Sequence, residues 1–273
     1  MSAPAVGGDR RHVGGDVVLY VIPGSHACRT AMLMLEHKRI GHRLVELPTG
    51  PHSLLVRALG FPGHREPIRS VDGRTSRRLA LLDRMGTVPA MRYGSARVQT
   101  NREIARFLDR VVAEPALFPA DPARRSAVEE AELWADRHLQ MLARRLALVG
   151  PLHGLDTMSR RGNDGRLGAL LTKHELARSA IARTASVMFG ADARAESEML
   201  AALPQTLDRV DRLIVDGVLG GAELNAADFA VAPSLALLAY RLDLRPEIER
   251  RAAGALVERI LPERDGAAAR PGV

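Results

Sequence analysis

The chain has 273 residues, 46% hydrophobic and 26% charged, a balance that suits one large globular domain or two small ones. Its formal net charge is +7, yet nearly all of the positive charge is arginine interspersed with acids, and aromatic content is only 3%; a nucleic-acid partner is therefore not expected. Cys28 is the only cysteine, which excludes an intramolecular disulfide and a cysteine metal cluster and fits a reducing, cytoplasmic setting; no apolar run approaches the ~18 residues a membrane span needs.

Residues 1–16 are rich in Gly, Ala and Arg and lack the apolar stretch of a secretory signal, so they read as a disordered tail, as do residues 263–273. Val17 to Ile22 is a β-branched run and predicts the first strand. Pro23-Gly24 breaks it, and Ser25 to Arg39 predicts a helix with a buried middle, Ala31 to Leu35, stopped by Gly41. His42 to Leu47 predicts a second strand, giving a β-α-β unit with a right-handed crossover. Residues 48–73 hold four prolines and four glycines, with a turn of helix at His52 to Leu59, and read as an insertion.

Ser76 to Met85 predicts a short helix with Gly86 at its C-cap. Met91 to Val98 predicts a hairpin turning near Gly94-Ser95. Ile104, Phe107, Leu108 and Val111 follow the i, i+3, i+4, i+7 pattern of a helix whose N-terminus holds Gln99-Thr100. The prolines of residues 113–121 mark a linker, and Asp121-Pro122 is an N-cap and N1 pair. From there the pattern is helical throughout: one helix to about Leu148 carrying Trp134, a loop from Gly150 to Gly165, a helix from Leu167 to Met188, and another through Leu200, Leu203, Leu207, Val210 and Ile214. Asn225 and Asp228 form a capping box, with Leu224 and Phe229 at the staple positions, opening a nearly all-apolar helix from Ala226 to Tyr240 that contains Pro233.

Several of these residues suit the binding of a small anionic peptide. Proline is the residue that makes a cis bond accessible; Val88-Pro89 is expected to be cis from the place of its turn between a helix stop and a strand, in the fold that the resemblance given below implies, and a cis turn would expose the Val88 N–H and C=O to an extended ligand. Thr100 at a helix N-terminus offers unpaired N–H groups to a carboxylate, and Gln99 offers a further hydrogen bond. There is no phosphate- or dinucleotide-binding glycine loop, no His-Glu-x-x-His and no Gly-x-Ser-x-Gly.

Taken together, the Val88-Pro89 turn, the Gln99-Thr100 helix start and the Asn225 capping-box helix resemble the glutathione S-transferase family over roughly Val17 to Leu261. The resemblance implies a thioredoxin-like α/β domain over residues 17–112, the linker at 113–121 and an all-α domain over residues 122–262. It implies that Val88 and Pro89 bind the backbone of glutathione or another low-molecular-weight thiol, that Gln99 and Thr100 hold its γ-glutamyl group, and that no metal is used. Aligning Ser25-His-Ala-Cys28 on the Cys-x-x-Cys of glutaredoxins makes Ser25 the catalytic candidate, donating to the cofactor thiolate.

Tyr20 is the second candidate, though core packing is the preferred reading for it. Inert packing is preferred for Cys28, an exposed loop position for His26 and an interdomain one for His138, while Arg29 anchors the cofactor only if it points inward. The implied function is transfer of the thiol to an electrophilic small molecule, as in detoxification, by a cytoplasmic homodimer with no membrane partner. The alternative is a non-catalytic module of the same fold for ligand binding or protein interaction. A disulfide reductase or peroxidase is disfavoured by the lone cysteine.

Overall fold

The computed structural model describes residues 17–22, 24–63, 81, 84–149, 183–184 and 186–262. Both expected tails, most of Ser76 to Met85, the Gly150 to Gly165 loop and most of Leu167 to Met188 lie outside the described residues.

Strand β1 (Val17–Val21) is buried along its whole length, which is why its sequence is a continuous apolar run instead of an alternation. It lies inside a four-stranded sheet of order β2-β1-β3-β4. β2 (Arg43–Glu46) pairs parallel to β1, as the β-α-β reading requires. β3 (Ala90–Tyr93) runs antiparallel to β1 with Ala90 opposite Tyr20, and β4 (Ala96–Gln99) returns from the expected turn with Gln99 opposite Ala90. Gly94 takes a φ of 57° in that turn.

Helix α1 (His26–His37) buries Ala27, Cys28, Ala31, Met34 and Leu35. It does not run to the expected stop at Gly41. Arg39 takes the left-handed conformation (φ 55°) instead. That left-handed turn closes the helix, with the Arg39 N–H donating to the Glu36 carbonyl and the Ile40 N–H to the Leu35 carbonyl at 3.0 Å each, and the neighbouring buried Lys38 ammonium donates to Asp109 Oδ1 (2.7 Å) and to the Val112 and Ala113 carbonyls. The expected turn of helix in the insertion is α2 (His52–Ala58). In α3 (Asn101–Val111) the buried face is Asn101, Ile104, Ala105 and Leu108. Val111, expected on that face, is 41% exposed because the helix ends there and the chain turns into the linker.

The second part is helical. The long helix expected to reach Leu148 is divided: α4 (Pro122–Trp134) passes through a π-helical segment, Ala135–Leu139, into α5 (Gln140–Val149). Then come α6 (Ala193–Val215), α7 (Ala226–Leu238), α8 (Arg245–Glu249) and α9 (Ala252–Ile260). Among the described residues no strand follows Gln99. α7 is the expected central helix, packing against α1, α4, α5 and α9. Its capping box is formed: Asn225 Oδ1 accepts from the Ala227 N–H at 2.9 Å, and Asp228 returns to the Asn225 N–H at 2.9 Å. The chain therefore joins a thioredoxin-like sheet domain to an all-helical domain.

Candidate functional site

The sheet topology gathers the candidates at one edge. β1 and β4 both run antiparallel to β3, so their C-terminal ends meet its start, and both are followed directly by helices. Two helix N-termini, those of α1 and α3, thus begin beside the Val88-Pro89 turn. Openings at the carboxyl ends of strands, lined by helix N-termini, are where folds of this layout hold ligands.

Ser25 is the N-cap of α1 and its hydroxyl oxygen accepts from the Cys28 N–H at 3.3 Å, leaving its proton to donate elsewhere. The Val88-Pro89 bond is cis, as expected. The Thr87 hydroxyl donates to the Val88 carbonyl at 3.4 Å, and among the described residues the Val88 main chain pairs with no other backbone group. Thr100 is the N-cap of α3, accepting from the Glu103 N–H at 3.3 Å. Its backbone lies at φ 64° and ψ 148°, a region costing about 1–3 kcal/mol for a residue with a Cβ.

Gln99 departs from the expected geometry. It is the last residue of β4, only 2% exposed, and its Nε2 donates to the Thr87 carbonyl at 3.2 Å. It braces the Val88 turn from behind. Gly86 makes this fit possible, since a Cβ there would stand 3.3 Å from Gln99 Nε2 and 3.0 Å from Val56 Cγ1. The residue the sequence reading missed is Asn101, first in α3 and buried. Its Oδ1, the Gln99 Oε1 and the Ser53 hydroxyl on α2 are buried without hydrogen-bond partners among the described residues. A clue was available: helix pattern and N-cap place Thr100-Asn101, one residue on, at the start of α3.

At the start of α1, His26 is buried and its Nε2 lies 3.3 Å from the Gln140 carbonyl of α5, so it is not an exposed loop residue. The helix begins one residue after Ser25 and turns His26 into the contact with the second domain. Burial, with the Arg144 charge adding to it, holds its pKa well below the usual histidine range. Burial likewise pushes the Cys28 thiol up to about 11, against a smaller pull from Ser25, which leaves it a protonated packing residue.

Tyr20 belongs to the core, meeting Phe61 edge-on at 5.7 Å. Arg29 is half-buried: its Nη1 pairs along α1 with Glu36 at 2.8 Å, while its Nε is buried with no hydrogen-bond partner among the described residues. His138 is exposed on the π-helical segment, not enclosed between domains. The interdomain charges are others. Glu132 is buried between Arg102 and Arg106, and burial raises the Asp136 carboxyl against the pull of Arg102, Arg144 and Arg137. Among the described residues no group of acids, histidines and cysteine is arranged to hold a metal, and no helix is long and apolar enough to cross a membrane.

No protein-family model matches the chain, and no curated protein matches its sequence. Its fold does match solved structures. A glutathione S-transferase-like protein from Pseudomonas syringae is 18% identical with a TM-score of 0.55, over 90% of this chain and 66% of its own, so this chain spans about two thirds of that protein. A glutathione S-transferase from Rhodospirillum rubrum is 20% identical with a TM-score of 0.55, over 94% of this chain and 96% of its own. A glutathione S-transferase of Ceriporiopsis subvermispora, solved in complex with glutathione, is 14% identical with a TM-score of 0.59, over 91% of this chain and 97% of its own.

Proposed function

We propose, starting from a chain that has the glutathione S-transferase fold, that this protein binds glutathione or a similar low-molecular-weight thiol and transfers it to an electrophilic small molecule. One observation carries the reading: the caps of two helices, Ser25 and Thr100, open at the same sheet edge beside a Val88 main chain with no backbone partner among the described residues. The helix ends favour the ligand's negative charges, and Val88 offers a strand-like pairing to its peptide. Glutathione bound to the Ceriporiopsis structure supports the choice of ligand. The partners proposed with it are the electrophile and a second copy of the chain.

In this mechanism the thiol loses its proton to solvent on binding. The Ser25 hydroxyl donates a hydrogen bond to the resulting thiolate, and the α1 N-terminus adds its partial positive charge. The sulfur then attacks the electrophilic carbon; the new C–S bond forms as the leaving group departs with its electron pair. Cys28, buried and protonated, takes no part.

The test is conjugation of glutathione to chlorodinitrobenzene across a pH series. Ser25→Ala is expected to lower kcat far more than it raises the thiol's KM, with the loss shrinking as pH approaches the free thiol's pKa. Equal activity of the two proteins at every pH removes Ser25 from the chemistry. A wild type that is stabilised thermally by thiols but conjugates nothing is a binding module of the same fold.

A further inference from the structure

One continuous helical rod passes both N-termini of the candidate site, and midway between them it carries a carboxylate without a contact partner. At Glu132, α4 meets the first turns of α3: Arg102 Nε lies 3.4 Å and Arg106 Nη1 2.9 Å from Glu132 Oε2. Two turns on, the rod meets the start of α1, where His26 Nε2 lies 3.3 Å from the Gln140 carbonyl. At about 3.6 residues per turn, positions four apart drift round an α-helix. The wider winding of the π-helical segment Ala135–Leu139 instead keeps Glu132, Asp136 and Gln140 on one stripe. The adjacent stripe, Val128, Ala131, Ala135 and Leu139, is buried on the side that packs against α7. Asp136 therefore faces the gap between the start of α3 and the start of α1.

Glu132 and Asp136 differ in one respect. Glu132 is paired with two arginines, whereas the half-buried Asp136 carboxylate makes no hydrogen bond or ion pair among the described residues. We infer that Asp136 is a specificity-determining residue for the electrophile, accepting a hydrogen bond from a neutral hydroxyl or N–H group on it. This rests on the thiol-transfer reading of that opening. The thiol's own contacts are assigned to Val88, Ser25 and Thr100, on the sheet side of the gap, so the group that meets the helical side is the second substrate. An ionised carboxylate only accepts hydrogen bonds, and a desolvated one without a donor is costly. Arg102, Arg144 and Arg137 act on the Asp136 charge from beyond contact distance. They favour its ionised form while leaving its oxygens open, and they disfavour a further cation beside it. A neutral donor suits that environment better than an ammonium does.

The experiment compares two electrophiles that differ in one donor: para-(hydroxymethyl)benzyl chloride and its methyl ether, para-(methoxymethyl)benzyl chloride. Glutathione displaces chloride from both, and the readout is the ratio of their kcat/KM values. Wild type is expected to favour the hydroxyl compound by about tenfold, as befits a hydrogen bond to a charged group. Asp136→Leu, of similar volume, is expected to bring the ratio close to one. Asp136→Asn, which keeps a neutral acceptor, is expected to fall between. A purely structural role lowers both rates together, so an unchanged ratio in Asp136→Leu overturns the inference, as does a wild type without preference.

In parallel, wild type and Asp136→Leu are titrated calorimetrically, without thiol, with benzyl alcohol and with benzyl methyl ether. Tighter binding of the alcohol that disappears in Asp136→Leu supports the inference; no difference between the two compounds in wild type overturns it. A wild type that conjugates neither chloride overturns the transferase reading, and the alcohol-against-ether comparison still decides the role of Asp136.

Discussion

At the α1 N-terminus, burial decides which groups carry charge. Cys28 is 2% exposed with its thiol pushed to about 11, so roughly 10⁻⁴ of it is thiolate at pH 7. Its alkylation by iodoacetamide is expected to proceed no faster than the protein opens, and to accelerate in urea with the unfolding transition. Labelling at the rate of a free cysteine in the native state would contradict this. His26 gives a pH dependence of definite sign. Its folded pKa is depressed, by burial first and Arg144 second, so the unfolded chain takes up a proton near 6.5 that the native chain refuses. The stability it contributes is whole above 6.5 and is lost as pH falls below it, by up to about 1.4 kcal/mol per pH unit. His37 is depressed in the same direction, mainly by burial. His26→Gln is therefore expected to flatten, without abolishing, the fall in urea midpoint between pH 7 and pH 5.5.

Among the elements, the segment that joins β4 to α3 carries backbone strain. Thr100 caps α3 but holds a positive φ that favours glycine. Thr100→Gly removes the cap at a cost of only a few tenths of a kcal/mol while relieving about 1–3 kcal/mol of backbone strain. A more stable protein that binds thiols less tightly is expected, read by thermal denaturation and calorimetry; a variant destabilised by more than the lost cap would refute the strain. Gln99→Ala differs, because it leaves the buried Thr87 carbonyl without its donor. It is expected to cost about 1–3 kcal/mol of stability as well as affinity, so its binding data need a melting curve beside them.

This junction also marks the limit of what the sequence discloses. The β-α-β unit, the Gly94 turn and the Asn225–Asp228 capping box are written in neighbouring residues, and each forms as read. Gln99 and Thr100 carry a helix-start signal, but which of them turns inward depends on strand pairing with Ala90 and on space left by Gly86. The stop at Arg39 is a left-handed turn made without a glycine. The π-helical segment has no proline or glycine to announce it. Of these, the inward turn of Gln99 is fixed by contacts between residues distant in the chain.

At the scale of the whole molecule, the two domains share one apolar core. It runs from β1 through α1 to α7 and onward to α9, and His37 on α1 meets Phe229 on α7 at 5.1 Å. Besides the His26–Gln140 contact and the Glu132 pairs with Arg102 and Arg106, Lys38 is a polar fastening at that junction. Its ammonium, with no exposed side-chain surface, donates to Asp109 at 2.7 Å, to the Val112 carbonyl at 2.6 Å and to the Ala113 carbonyl at 3.2 Å. Asp109 in turn accepts from the Leu117 N–H at 2.8 Å, and the Leu117 carbonyl accepts from the Ala226 N–H at 2.9 Å, at the first residue of α7. One lysine thus links the end of α1, the end of α3, the linker and the start of the central helix. Lys38→Met keeps the length of the stem and removes the charge, leaving Asp109 and two carbonyls underserved. Breaking a buried pair from one side costs about 3–5 kcal/mol. Urea unfolding followed by Trp134 fluorescence, in the helical domain, and by far-ultraviolet circular dichroism is expected to give coincident curves for wild type. In Lys38→Met both curves are expected to move to lower urea together, because the shared core still couples the domains. Lys38→Met with Asp109→Leu is expected to recover part of the loss, since it also removes the stranded carboxylate. Curves that separate in the single variant would mean that Lys38, and not the core, is what makes the two domains unfold as one.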